Sequence, residues 1–163
     1  MVTIRPAEPR DYAAIAAVTT AAFGGPAEAK IIEDVRAEGA ALVDLVAMDD
    51  DGSVVGHILF SRMRCDPPRF FAGLAPVSAA PGRQSSGIGT QLCRQGIEAC
   101  RVLGVEAVVV LGHVDYYPRF GFSRAAAAPI ASPYAASSGF MAMELVPGAL
   151  AAPIKADYPA AFG

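Results

Sequence analysis

Apolar residues recur along this chain with two periods, near two residues and near 3.6, and the places where the period changes mark its elements. Alternation at 3–5 gives a short first strand. Pro9-Arg10-Asp11 then opens a helix with Tyr12, Ile15, Ala16, Val18, Ala22 and Phe23 as its inner positions. Gly24-Gly25-Pro26 ends it, and a second helix over 27–37 turns Ile31, Ile32 and Val35 inward. The runs 42–48 and 53–64 are strand-like and flank Asp49-Asp50-Asp51-Gly52, the pattern of a hairpin. Residues 70–80 form the next strand.

Helical spacing returns at 88–103, with Ile88, Leu92, Gly96, Ala99, Cys100 and Leu103 on one side, and Gly104 stops it. The β-branched run 105–111 fits a strand buried on both faces. A brief helix over 114–120 and strands at 122–125 and 139–146 complete the series. The stretch 147–163 is rich in Pro, Ala and Gly and reads as an irregular tail. With no repeat and no linker, residues 1–163 are expected to form one domain of mixed α/β class. Pro76 interrupts the 70–80 strand. It cannot donate a ladder hydrogen bond, so it belongs at a bulge or a sheet edge, and the proline alone does not choose. A bulge would splay this strand from its parallel neighbour at 105–111 and leave backbone groups free on an open cleft.

Composition narrows the functional classes. No apolar run in the 163 residues approaches a membrane span, and Met1-Val2-Thr3-Ile4-Arg5-Pro6 lacks a signal-peptide layout. The expectation is a cytoplasmic protein with no membrane partner. The net charge of −3, with Lys and Arg scattered, argues against a nucleic-acid face. Cys65, Cys93 and Cys100 have no CxxC spacing, and no metal is expected. Cys93 and Cys100 share a helix face, as packed thiols would.

The densest chemistry lies at 83–90, Arg83-Gln84-Ser85-Ser86-Gly87-Ile88-Gly89-Thr90, between a strand and a helix. Backbone N–H groups at a helix start lack carbonyl partners, and the macrodipole adds partial positive charge. Gly87 and Gly89 remove side chains that would hold an anion away. Ser85, Ser86 and Thr90 offer hydroxyls, and Arg83 a full charge. These features suit a pyrophosphate. A P-loop would need Lys after its second glycine, where Thr90 stands. A dinucleotide fingerprint would need a small residue at Leu92 and a loop starting at the strand end. The bland alternative is a tight turn.

Three motifs occur in order: Leu74-Ala75-Pro76-Val77-Ser78-Ala79-Ala80-Pro81, Gln84-x-x-Gly87-x-Gly89, and Tyr116-Tyr117-Pro118-Arg119-Phe120-Gly121-Phe122. Together they resemble the GNAT acyltransferase superfamily over about 74–122. Ile4-Arg5-Pro6-Ala7 and Val54-Val55-Gly56-His57 are similar to its bacterial N-acetyltransferases. The resemblance implies a mixed seven-stranded sheet flanked by helices, its fourth and fifth strands splayed around acetyl-CoA as co-substrate. It implies that the backbones of Val77, Ser78 and Ala79 hold the pantetheine and thioester. It also implies that the loop, Arg83 and Gln84 through Ser85, Ser86, Gly87, Ile88, Gly89 and Thr90, holds the pyrophosphate.

By the same resemblance, Tyr117 is the general acid for the departing thiolate, while Tyr116 takes the apolar place of the motif and should lie in the core. His113, just past the strand at 105–111, is a candidate for substrate contact or proton relay. His57 reads as structural, Asp115 as a cap on the short helix, and Glu28 and Asp66 as acids in substrate-facing loops. No dedicated base is identified, and ordered water can serve. The acceptor should meet 23–26 and 132–134. The expected activity is direct acetyl transfer to a primary amine, on a small molecule or a peptide, within a ternary complex. The alternative is a non-catalytic acyl-CoA-binding sensor. A homodimer is left open.

Overall fold

The computed structural model describes residues 1–163. In chain order it contains β1 (Thr3–Pro6), α1 (Tyr12–Phe23), α2 (Ala27–Ala37), β2 (Ala41–Met48), β3 (Val54–Arg62), β4 (Arg64–Asp66) and β5 (Phe71–Ala79). There follow α3 (Ile88–Leu103), β6 (Ala107–Leu111), β7 (Ile130–Ala131), β8 (Phe140–Glu144) and β9 (Ile154–Asp157). The central sheet has six strands in the order β1-β2-β3-β5-β6-β8, and β4-β9-β7 form a separate three-stranded sheet. The architecture is the expected mixed α/β, with a parallel β5–β6 pair inside an otherwise antiparallel sheet.

Burial follows the alternation of each strand. Phe60, Leu74, Val108, Val110 and Met141 face α3, which buries Ile88, Leu92, Cys93, Ile97 and Cys100 against them. Two glycines set this contact. Gly96 on α3 lies directly over the Phe60 ring, and a β-carbon on Gly56 would stand 2.7 Å from Ile88 Cγ2. On the opposite face, Ile15, Ile32 and Val35 of α1 and α2 cover Val46 and Leu59. Beside them the small sheet covers Phe71, Val109 and Phe140 with Ile130, Ile154 and Ala156. Arg5 holds β1 to the start of α1 by a two-pronged ion pair with Asp11, at 2.7 and 2.9 Å.

The sequence reading is corrected at four places. Residues 122–125 form one bridge, Ser123 with Ala142, so the central sheet has six strands and not seven. The run 53–64 is two strands: Met63, whose N–H bonds the Phe71 carbonyl, ends the pairing with β5, and from Arg64 the chain pairs with β9 in the small sheet. The helix expected over 114–120 is a 3-10 turn at Tyr117–Phe120. The stretch 147–163 is ordered: β9 pairs with β4 and β7, Ile154 and Ala156 are buried, and Ala160–Phe162 is a 3-10 turn. Four strand residues between Pro153 and Pro159 carry too little periodicity to be seen alone.

Pro76 sits at a bulge, not an edge. Pairing with β3 shifts from Ile58↔Val77 to Phe60↔Leu74, so β5 spends three residues where β3 spends two. On its other side β5 pairs with β6 from Phe71↔Ala107 to Leu74↔Val110 and no further. The two strands part where the bulge begins. No helix is long and apolar enough to cross a membrane.

Candidate functional site

Beyond Leu74 the parting of β5 and β6 leaves a cleft of about 760 Å³, lined by residues from both faces of the sheet. The Ala80 N–H bonds the Val55 carbonyl at 2.8 Å, so Ala80 and, two residues back, Ser78 turn their backbone groups toward β3. The same alternation turns Val77 and Ala79 outward along the unpaired edge. The Gln84 amide reaches the Ala79 carbonyl at 3.3 Å. Ser78 meets the cleft through its side chain, whose Oγ is 3.4 Å from Thr19 Oγ1 of α1.

The loop before α3 is bent by positive φ at Gly82 (85°), Ser85 (68°) and Gly87 (89°). Successive turns of this kind point N–H groups into one concavity. The first helical bond of α3 runs from Gln91 N to the Gly87 carbonyl at 3.0 Å, leaving the Ile88, Gly89 and Thr90 amides ahead of it. A β-carbon at Gly89 would meet nothing but the Tyr116 hydroxyl, at 3.7 Å. The protein's own packing therefore does not demand glycine there. Ser85, Gly87, Gly89 and Thr90 line the cleft.

Three side chains of this loop are also engaged within the protein. Arg83 is bound to Asp49 of the β2–β3 turn at 2.5 Å, so its charge is already matched. The Ser86 hydroxyl donates to the Arg83 carbonyl, and the Ile88 side chain is buried in the core. Two cations at this end have no acidic partner: Arg119, which stacks over the Tyr116 ring at 4.2 Å, and Arg94 of α3, over the Phe120 ring at 5.2 Å.

Tyr116 is not a core residue. It is half-buried, lines the cleft, and its hydroxyl lies 2.8 Å from Thr90 Oγ1, tying the 3-10 turn to the start of α3. An aromatic doublet in a turn signals that one ring faces outward, but not which. Tyr117 is the more deeply set, 7% exposed, with its ring in the space left by Gly112 and edge-on to Phe122 at 5.9 Å. It also lines the cleft, and its hydroxyl enters none of the protein's hydrogen bonds. Burial pushes the phenol well above its ordinary pKa, so it stays protonated at neutral pH. The neighbouring Cys93 thiol is raised by burial to about 12.

His113 is exposed and lines the cleft. Asp115 is exposed and makes no cap to the short turn. His57 lies away from the cleft, fully buried, its Nε2 2.6 Å from Asp44 Oδ1, while Arg36 Nε donates to Asp44 Oδ2 at 2.7 Å. Burial lowers the His57 pKa against the pull of Asp44, which leaves a neutral ring donating to a carboxylate. Burial works to raise Asp44, but the hydrogen bonds from His57 and Arg36 outweigh it.

The far end of the cleft, on the α1 and α2 side, is closed by Ala22, Phe23, Glu28, Ile31 and Phe162. Phe162 comes from the stretch read as irregular, and no signal in the sequence places it here. The segment 132–134, expected to share this wall, does not reach it: Tyr134 packs edge-on against Tyr158 at 5.8 Å. Asp66 also lies outside.

The Acetyltransferase (GNAT) family model matches residues 13–122. A protein of Escherichia coli named N-acetyltransferase YhbS is 36% identical over 124 residues, covering 76% of this chain and 74% of its own length. A second, N-acetyltransferase YjhQ, is 39% identical over 117 residues, covering 69% and 64%. The crystal structure of E. coli YhbS in complex with CoA superposes with a TM-score of 0.92 at 31% identity, over 99% of this chain and 91% of that one. A GNAT family acetyltransferase from Brucella melitensis in complex with acetyl-CoA gives 0.84 at 35% identity, over 100% and 99%.

Proposed function

The chain belongs to the GNAT acetyltransferase family, and from that premise we propose that it moves the acetyl group of acetyl-CoA directly to a primary amine. The observation that carries this is the parting of β5 and β6 after Leu74↔Val110, with a cradle of free amides on one side of the gap and an unpartnered tyrosine hydroxyl within it. The open edge at Val77 and Ala79 can pair with the two amides of a pantetheine arm as an added strand would. The amides of Ile88, Gly89 and Thr90, at the positive end of α3, suit the pyrophosphate. Arg119 replaces Arg83 as the cation for the coenzyme's phosphates.

The reaction needs a neutral amine, a polarised thioester and a proton for sulfur. An amine that has lost one proton to water forms the C–N bond as the C–S bond breaks. A backbone N–H on the open β5 edge bonds the thioester oxygen as negative charge develops there. The sulfur leaves as thiolate and takes the Tyr117 proton. Burial makes this phenol a weaker acid, and the same exclusion of water disfavours a bare thiolate beside it, so the proton moves to sulfur as the C–S bond breaks. Once bonded to the acetyl carbon the nitrogen gives up its second proton to water, directly or by way of the exposed His113, and Tyr117 regains a proton from solvent as the free thiol departs.

Thermal melting tests the binding half and release of free thiol tests the chemistry. Acetyl-CoA should raise Tm where acetate and adenosine do not, because a ligand held by the folded state stabilises it by mass action. Thiol release should depend on an added amine. Equal stabilisation by ATP and CoA counts against the assignment, and binding without turnover across a broad amine panel favours a sensor.

A further inference from the structure

Charge is distributed very unevenly around the cleft. Among its lining residues no Lys or Arg occurs, and Glu28 is the one acidic side chain. Glu28 is half-buried, and its carboxylate forms no ion pair or hydrogen bond within the protein, unlike Asp34 one helix face away, which Lys30 neutralises at 2.6 Å. Around it stand Phe23 and Ile31 from α1 and α2 and Phe162 from the turn after β9, all apolar. Water is partly excluded by these walls, so an unmatched carboxylate there attracts a cation more strongly than one on an open surface.

Resting on the acetyltransferase reading, we propose that the acceptor is a primary amine on a compact apolar body with no carboxylate of its own, and that Glu28 recognises its ammonium form. An amino acid would bring its carboxylate toward Glu28 with no cation to receive it, and like charges in a cleft select against a ligand. A polyamine would need a second acidic contact, which the cleft does not provide. The 760 Å³ must also hold the pantetheine arm, which keeps the acceptor small. The ammonium arrives paired with Glu28, and one proton leaves to water before the nitrogen attacks. Glu28 also lies in the first turn of α2, where an acid complements the helix dipole. That role alone would alter stability and leave acceptor recognition untouched.

The test is steady-state kinetics with 2-phenylethylamine, phenylalanine and spermidine, beside calorimetry of acetyl-CoA binding. The first two share an aromatic body and differ by one carboxylate. The expected kcat/KM for 2-phenylethylamine exceeds both others by about tenfold or more, the scale of one partly buried charge contact. Glu28→Gln should raise KM for 2-phenylethylamine about tenfold, with kcat within a few-fold and the acetyl-CoA Kd unchanged. Glu28→Lys should move the preference toward phenylalanine. Preference of the parent for phenylalanine or spermidine overturns the proposal. So does failure to acetylate any of the three by a protein that binds acetyl-CoA, or a Glu28→Gln variant with lowered Tm and unaltered KM. Absence of acetyl-CoA binding would instead overturn the reading on which the proposal rests.

Discussion

The ring of Tyr117 fills the space that a side chain on Gly112 would occupy, so the chain just past the end of β6 and the 3-10 turn after it fix each other's position. The hydroxyl is thereby held at the parting of the strands by packing and by no hydrogen bond of its own.

Tyr117→Phe keeps that packing and removes the proton. Turnover should fall by about 10²–10⁴, the usual contribution of a positioned acid, with acetyl-CoA affinity nearly unchanged. A loss confined to KM for acetyl-CoA would make Tyr117 a binding residue. Stopped-assay kinetics with calorimetry separates the two.

Gly89→Asp should leave Tm within a few degrees of the parent, since a side chain there meets only the Tyr116 hydroxyl and an acid near a helix start is mildly favourable, by about 0.3–1 kcal/mol. Acetyl-CoA binding should weaken strongly, because bulk and negative charge then face the phosphates. An unchanged Kd in calorimetry would remove this loop from the site.

Gly96→Ala probes the seat of α3. The added methyl would strike the Phe60 ring in a packed core, and overpacking of this kind costs about 1–3 kcal/mol. Helix propensity alone predicts the opposite, a gain of about 1 kcal/mol. Urea denaturation decides by the sign of the change.

Asp11 sets an acid-sensitive contact. The hydrogen bond from Arg5, with the Glu8 N–H, holds its carboxyl down to about 2, below the ordinary value of about 3.9. A depressed carboxylate contributes stability that is complete above its unfolded pKa and lost as pH falls through the folded one. The parent should therefore lose Tm between about pH 4 and pH 2 more steeply than Asp11→Asn, which should already be less stable at pH 7. Parallel melting curves for the two across that window would refute this.

The sequence was legible where one element could be read without its neighbours. Helices α2 and α3 fall at 27–37 and 88–103 as spacing predicts, because each carries its own apolar face and, for α3, a left-handed Gly104 at its end. The short strands were hidden, since β4, β7 and β9 are defined by each other and not by local pattern. At the site, glycine and hydroxyl positions marked the loop. The sequence could not show that Asp49 had claimed Arg83, because that contact crosses 34 residues. Nor could it show which of Tyr116 and Tyr117 would meet Thr90.

The two ends of the cleft come from stretches of chain that can change separately. The amide cradle and Tyr117 fall within 84–117, inside the region the family shares, whereas Phe162 enters from 40 residues beyond its limit at 122. Changes at Phe162 can therefore reshape the far end of the cleft by drift, insertion or segment exchange without touching the cradle at 84–90 or Tyr117.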